Sequence, residues 1–488
     1  MGVQLRVTAV FAAAFAALSL CAGAGAGLKV GVAEDAAKGD DDGGAALYSQ
    51  LTGVGMTVVR LSVWWDDSRP ATITEQAALQ RAITAANAHG IQIIFIVSPF
   101  RPDGVNSTPN GNALFAAFCV QLAKAFPSVR DFIIGNEPNQ PRFWRPQFDS
   151  SGARVAAATY ESMLAATYDA LKGFNPALDV VGLALSPRGN DQPNAPSNAS
   201  TSPVAFMHDL GVAYRASARS APLMDNVGFH PYPNPSSADD PPSKGLQWPA
   251  AGVPNLDRLE QAFWDAFNGT GQPTFAEDGA STPSVVRWVL DETGWQTKTE
   301  NYPGYFGAEN ENTVDEATQA EFYNQVVQRY QCDPHVSTLL FFHWIDEADR
   351  GRMQTGLVHA DGTSKRSAFS IRTAVLDGCI TTPVVWRHLT GVDGATVSWR
   401  GTSSSAFSLS ANEDFTYSAA IVRTEKGAQK DWGVAVRTIG GSGNAYWKVH
   451  VAFGKPLKTG RYVYSVTLRS VMNPARTTTF TSKPFTRG

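Results

Sequence analysis

From residue 28 to residue 378, short apolar runs alternate with longer stretches in which apolar residues return every three or four positions. Such alternation predicts strands separated by crossover helices, and therefore a parallel sheet. Eight runs carry the strand signal: residues 28–33, 57–63, 91–97, 129–134, 180–185, 224–229, 285–290 and 338–342. Eight strand–helix units in about 350 residues fit a (β/α)8 TIM barrel with loop insertions. Between the fourth and fifth runs, Tyr160, Met163, Leu164, Thr167 and Leu171 have the spacing of one buried helix face, and Asn175-Pro176 ends that helix. Two segments rich in Pro, Asn and Ser, residues 186–202 and 231–254, follow the fifth and sixth runs and are expected to project over the barrel's mouth.

After Cys379 the helical period stops. Tyr462, Tyr464, Val466 and Leu468 alternate with Val463, Ser465, Thr467 and Arg469, and the turn Lys458-Thr459-Gly460 precedes them. Short alternating segments with Gly and Asn turns over about 100 residues predict an all-β sandwich of the immunoglobulin or fibronectin kind. The expected organisation is a leader at 1–26, a catalytic barrel at 27–378 and the sandwich at 382–488. No internal repeat is visible, and Ser403–Ser405 is the one compositionally simple tract.

With 43% hydrophobic and 17% charged residues in 488, the chain has the composition of a folded globular protein. A net charge of −4 leaves no basic excess for nucleic acid or an anionic membrane surface, and a monomer is expected. At the N-terminus Arg6, an apolar run to Leu20 and a Gly/Ala stretch with cleavable positions near Ala24 and Ala26 read as a removable export signal. A lipid anchor on Cys21 fits less well because Leu20 precedes it. No segment approaches the ~20 apolar residues of a membrane span. Of the other cysteines, Cys119 falls on an apolar helix face with Leu114, Phe118 and Leu122, where a buried inert thiol is expected. Cys332 and Cys379 each follow a helical segment, and an exported chain permits a disulfide between them.

Candidate chemistry stands at the ends of two apolar runs: Gly135-Asn136-Glu137-Pro138-Asn139 and Asp291-Glu292-Thr293-Gly294-Trp295. Barrel enzymes keep their chemistry at the C-terminal ends of the strands. Two carboxyl groups there, one protonated and one ionised about 5 Å away, are what retaining sugar cleavage needs. Glu137 is the candidate acid/base, aimed by the extended backbone that Pro138 imposes on its predecessor. Asn136 is a candidate partner for a sugar hydroxyl. Glu292 is the candidate nucleophile; strand alternation lets only one of Asp291 and Glu292 face the substrate with it. Arg60 is expected to hold Glu292 ionised and Tyr232 to donate a hydrogen bond to it. His230 is read either as a ligand of sugar hydroxyls and the nucleophile's surroundings or as a structural histidine. Trp344 is expected to offer a flat face to a pyranose ring.

In their order, these motifs resemble glycoside hydrolase clan A, the retaining (β/α)8 glycosidases, and most of all its families 5 and 39. Asn136-Glu137-Pro138 is similar to the strand-four acid/base motif and Glu292-Thr293-Gly294-Trp295 to the strand-seven nucleophile motif. Arg60 in Val-Val-Arg-Leu-Ser-Val-Trp-Trp, His230-Pro231-Tyr232 and Trp344 match on strands two, six and eight, and the likeness covers residues 28 to 375. The resemblance implies an exported retaining β-glycosidase acting on an oligosaccharide, polysaccharide or glycoside without a cofactor. A transglycosylase of the same clan and an inactive carbohydrate-binding barrel remain open.

Around these positions Trp64, Trp65, Phe143, Trp144, Trp295, Tyr302, Tyr305 and Phe306 are expected in loops on one rim, half of them as loop packing, with Trp65 and Trp295 as sugar contacts. Arg142, Arg145, Arg350 and Arg352 share that rim and hint at acidic sugars, or are solvated surface charge. Metal-ligand spacing is missing: there is no paired His at helix spacing, no Cys-x-x-Cys and no acidic calcium loop, and Asp40-Asp41-Asp42 reads as a solvated loop. Asn106, Asn198 and Asn268 stand in glycosylation-acceptor triplets.

Overall fold

The computed structural model describes residues 27–234, 237–277, 286–399, 406–424, 435–454 and 457–487. The leader assigned to 1–26, Val285 and the Ser403–Ser405 tract lie outside these residues.

Eight strands, β1 (Lys29–Ala33), β2 (Val58–Trp65), β3 (Gln92–Pro99), β4 (Asp131–Ile134), β5 (Asp179–Leu185), β6 (Asn226–Phe229), β7 (Trp288–Leu290) and β8 (Val336–Phe342), close in that order into a parallel barrel. All eight coincide with the apolar runs. The reason is that a barrel strand is buried on both faces, so the sequence shows a continuous apolar block rather than alternation. Parity still decides which face each residue serves. On β2, Val59, Leu61, Val63 and Trp65 join the layer between strands and helices, whereas Val58 joins Ile94, Ile96, Ile133, Val181, Ala184, Val289 and Leu340 inside the barrel. Fully burying each such side chain stabilises by ~1.5–3 kcal/mol.

The helix Ala156–Phe174 buries Tyr160, Met163, Leu164, Thr167 and Leu171 and ends at Asn175, whose backbone is extended before Pro176. Tyr160 also reaches across the strand ends. Its hydroxyl donates to the Ile134 carbonyl (2.6 Å) and accepts from the Leu183 amide (2.7 Å). There β5 leaves its register between Gly182 and Leu185, with φ of 78° at Leu183 and 45° at Ala184. Irregular backbone of this kind re-aims a strand end and survives only where neighbours hold it.

Beyond the helix Arg366–Asp377, two antiparallel sheets enclose a second core. One holds β9 (Thr396–Trp399), β10 (Ala406–Ser410) and β13 (Val449–Ala452); the other holds β11 (Phe415–Arg423), β12 (Ala435–Gly443), β14 (Gly460–Ser470), β15 (Thr477–Thr481) and β16 (Phe485–Arg487). Tyr462, Tyr464, Val466 and Leu468 point into that core, as the alternation predicts. Arg476 ties the sandwich to the barrel by pairing with Asp265 (2.9 Å) and with Glu413 (2.6 Å). Cys332 and Cys379 form a disulfide with Cα atoms 4.9 Å apart, stapling the end of the helix Glu316–Gln331 to the chain after Arg366–Asp377. Cys119 is a buried free thiol, and burial pushes its pKa up. Among the described residues no helix is long and apolar enough to cross a membrane.

Candidate active site

The C-terminal ends of the strands open into a cavity of about 810 Å³. Asn136, Glu137, Glu292, Arg60, Tyr232 and Trp295 all line it, as do residues of both Pro/Ser-rich insertions, among them Ser186, Pro187, Arg188 and Asn198 from the first and Pro233 and Ala238 from the second.

Glu137 sits where β4 gives way to a turn. Gly135 (φ 80°) starts that turn in a conformation that favours glycine, and Glu137 continues it at φ 40° while its amide donates to the Ala184 carbonyl (3.0 Å). The extended backbone expected before Pro138 is therefore not what aims the carboxyl. A left-handed residue, anchored on the irregular end of β5, does so instead. Asn139 fixes the same corner from within: fully buried, its side chain donates to the carbonyls of Ser186 (3.1 Å), Arg188 (3.2 Å) and Thr201 (3.0 Å) and accepts from the Ser186 amide (2.9 Å).

Arg60 projects from β2 into the barrel on the same parity as Val58. One nitrogen meets Asp291 (3.1 Å) and another Glu292 (2.8 Å). Tyr232 donates to the other oxygen of Glu292 (3.0 Å). Each oxygen of Glu292 thus has a donor and keeps lone-pair capacity. Burial opposes the charge on Arg60, but Glu292 and Asp291 outweigh it and hold its pKa above the ordinary value. For Tyr232, burial and the Glu292 charge both push the pKa well up, so it stays a hydroxyl donor.

Of the readings open to His230, its position is in the surroundings of Glu292 and not in the cavity wall. It is fully buried below the cavity floor, with Nδ1 2.9 Å from Glu137 and 3.7 Å from Glu292 and Nε2 3.1 Å from Asp291. Burial works against a charged ring, yet Glu292 and Asp291 raise its pKa well above the ordinary histidine value. As an imidazolium it donates from both nitrogens, bridging the two ends of the site. Because one nitrogen lies near both glutamates, their facing oxygens are no farther apart than those two distances end to end. Asp291 is fully buried; burial raises its pKa, but His230 and Arg60 prevail and leave it below the usual carboxylate value. Only Glu292 of the adjacent pair reaches the cavity, though not by alternation: β7 stops at Leu290, and both carboxylates meet Arg60 and His230 from the same side.

Two aromatic assignments are corrected. Trp65 shares parity with Leu61 and Val63, so it faces the helices, edge-on to Phe115, with its ring N–H on the Pro70 carbonyl; Trp64, one residue earlier, lines the cavity. Trp344 is also core, its ring N–H bonded to Gln50 (3.0 Å), because β8 ends at Phe342 and the backbone beyond it is captured by Glu34. Phe342 and His343 form the wall there. Of the other rim aromatics Phe143 lines the cavity, while Trp144 is buried against Tyr160 and Tyr302 stacks on His359. Of the rim arginines Arg142 and Arg352 line it; Arg350 instead bonds Thr299. Sequence reading missed Glu34, Gln140, Arg188, Asn198 and Glu311. Period-two parity along β2 was the one available signal that would have preferred Trp64 to Trp65.

Among the described residues one group has the spacing to hold a metal ion: Glu260, Asp333 and His335, all buried at the opposite end of the barrel, where β8 begins. It is internally bonded, His335 meeting Glu260 (2.9 Å) and the Ala276 carbonyl (2.9 Å), with Trp288 donating to Glu260 (3.1 Å). Burial and the Glu260 charge push Asp333 up to about 6.

No protein-family model and no curated protein matches the chain in sequence. In structure the chain is similar to a family 39 glycoside hydrolase from Bacteroides cellulosilyticus WH2, at 14% identity over 87% of this chain and 81% of the other (TM-score 0.48). It is similar to a monomeric beta-xylosidase from Caulobacter crescentus CB15, at 13% identity over 88% and 95% (TM-score 0.45). A GH5_18 from Streptomyces cattleya in complex with GlcNAc is similar at 16% identity over 76% and 84% (TM-score 0.49). The solved structures that this chain is similar to thus include glycoside hydrolases of families 39 and 5.

Proposed function

We propose that this chain is an exported retaining β-glycosidase, with Glu137 as acid/base and Glu292 as nucleophile. The observation that carries the reading is the meeting of both carboxyl groups near one buried histidine nitrogen, on the floor of one cavity at the C-terminal face of a closed barrel. The two nitrogen–oxygen distances laid end to end bring the facing oxygens close to the ~6.5 Å at which inverting sites begin, and any bend at the nitrogen shortens this toward the ~5 Å of retaining ones.

In the first step protonated Glu137 gives its proton to the departing glycosidic oxygen while Glu292 attacks the anomeric carbon, breaking the C–O bond and forming a glycosyl ester. In the second, the Glu137 carboxylate takes a proton from water, whose oxygen attacks the same carbon and releases Glu292. His230 donates to one oxygen of Glu137, which leaves the proton on the other. Charge is conserved in this low-dielectric floor. Arg60 and His230 balance Asp291 and Glu292 at rest; in the ester, Glu292 loses its charge as Glu137 gains one. No buried charge is created or lost in either step, which keeps the electrostatic cost of the reaction small.

The test is turnover of a panel of aryl β-glycosides and oligosaccharides by wild type, Glu137→Ala and Glu292→Ala. Each variant is expected to lose roughly 10²–10⁴-fold or more in kcat, azide is expected to rescue Glu292→Ala as a glycosyl azide of inverted configuration, and proton NMR is expected to show a first product of retained configuration. An inverted first product, or variants as active as wild type, refutes the proposal.

A further inference from the structure

Three other guanidinium groups that line the cavity have company. Arg60 is bound by Asp291 and Glu292, Arg352 by Glu347 (3.2 Å), and Arg142 is exposed over the ring of Phe143. Arg188 differs. It is half-buried in the wall, its Nε is dry and without a hydrogen-bond partner, and among the described residues no carboxylate comes within ion-pair distance of it. Burial pulls its pKa below the ordinary guanidinium value, and the charges of Glu137 and Glu311 act on it only from beyond contact. A guanidinium that has one nitrogen dry and unsatisfied and no counter-ion is costly to hold in a wall, and the rest of its fork is left open to an anion in the cavity.

Its backbone is fixed for that purpose. The Arg188 carbonyl accepts from Asn139 (3.2 Å) and from Gln140, so the residue after Glu137-Pro138 places the arginine directly. Gly189 lets the loop pass against its own return, since a Cβ there would lie 2.1 Å from the Thr201 backbone. Asn198, which also lines the cavity, donates to Gln140 (3.2 Å) and closes the loop on the same corner. A fork held at its base loses little entropy on binding.

We propose that Arg188 recognises a carboxylate or sulfate group on the sugar unit that departs, so that the substrate is an acidic glycan with its charge beside the bond that is cut. The inference rests on the glycosidase reading above. In that reading the retained sugar lies against Glu292 and the departing one leaves with the oxygen that Glu137 protonates. The Arg188 backbone is held by Asn139 and Gln140, on the corner that follows Glu137, whereas Glu292 is held across the cavity by Arg60 and Tyr232, which puts Arg188 on the departing side. The rim arginines that suggest acidic sugars from sequence are therefore not the ones that carry this recognition.

The experiment compares kcat/KM for disaccharides sharing one β-linked glycone, with glucuronate, 6-O-sulfoglucose or glucose as the leaving unit, in wild type, Arg188→Met and Arg188→Lys. A charge-assisted contact of this kind corresponds to a preference for one acidic leaving unit over glucose of roughly 10- to 100-fold. Arg188→Met is expected to collapse that ratio and Arg188→Lys to reduce it in part, and the carboxylate and sulfate arms tell which anion is read. Equal rates on charged and neutral leaving units, a preference that survives Arg188→Met, or one seen only when the charge is on the glycone overturns the inference while leaving the glycosidase reading intact. If no disaccharide is cleaved, calorimetric titration of glucosyl-β-glucuronate against cellobiose decides Arg188 separately from the glycosidase reading. Tighter binding of the acid that is lost in Arg188→Met supports it, and equal binding overturns it. Wild-type preference needs no variant, so a misfolded Arg188→Met does not remove the test.

Discussion

At the scale of the residue, His230 organises the site without touching the cavity. Its folded pKa lies above the unfolded value near ~6.5, so the stabilisation it gains from Glu292, Asp291 and Glu137 is complete below that pH and is lost as pH rises through the folded value. Asp291 runs the other way: its pKa is lowered, so its contribution is present above the unfolded carboxylate value and is lost as pH falls through the folded one. Urea unfolding of wild type and His230→Asn across pH is therefore expected to show the largest difference near pH ~6 and a shrinking one on the alkaline side; a difference that grows with pH would contradict an imidazolium. Arg60→Met leaves Asp291 buried with one cationic partner fewer. Loss of one partner of a buried pair costs about 3–5 kcal/mol, and a shift of the urea midpoint of that order is expected, together with loss of turnover. Both glutamates were legible in sequence because they follow apolar blocks, and the arginine because it interrupts one. Arg188 was not, because nothing in a Pro/Ser-rich loop tells which of its residues will face inward.

At the scale of the element, the strand ends matter more than the strands. β4 and β5 stop in left-handed residues, Glu137, Leu183 and Ala184, and Tyr160 from the following helix holds both ends through one hydroxyl. Tyr160→Phe keeps the ring's packing against Trp144 and Phe206 but leaves a buried carbonyl and a buried amide unmet. Each such loss costs ~1–3 kcal/mol. The expected outcome is a lower melting temperature with a fall in kcat larger than any change in KM, since Glu137 is displaced while the rest of the cavity stays; an unchanged kcat would mean that β5 holds its shape without the hydroxyl. The helical face that includes Tyr160 was visible as a period of three to four. Its hydroxyl's reach to β5 was not, because periodicity reports which side is buried and says nothing of what a polar tip meets there.

For the whole molecule, the sandwich is bonded to the barrel through a buried charge cluster. Arg476, Asp265 and Glu413 are all nearly inaccessible, and Asn473 adds a bond to Asp265 (2.8 Å). Arg476→Ala strands two buried carboxylates, and a loss of about 3–5 kcal/mol is expected. Calorimetry is expected to resolve separate barrel and sandwich transitions in the variant; a single transition at the wild-type temperature would show that the cluster does not couple them. The amino-acid sequence by itself determined the class of each part, since burial on two faces writes apolar blocks and burial on one writes alternation, and both survive in a linear string. It also pointed to two glutamates that line the cavity, Glu137 and Glu292, which fall at block ends. Tertiary structure alone decided that His230 is buried between Glu137 and Asp291, that Trp344 is core, and that Arg188 lies in the cavity wall without an ion-pair partner among the described residues. These depend on where a strand stops, which way a loop returns and which distant charge arrives within a few ångströms, and such through-space facts leave no periodic trace along the chain.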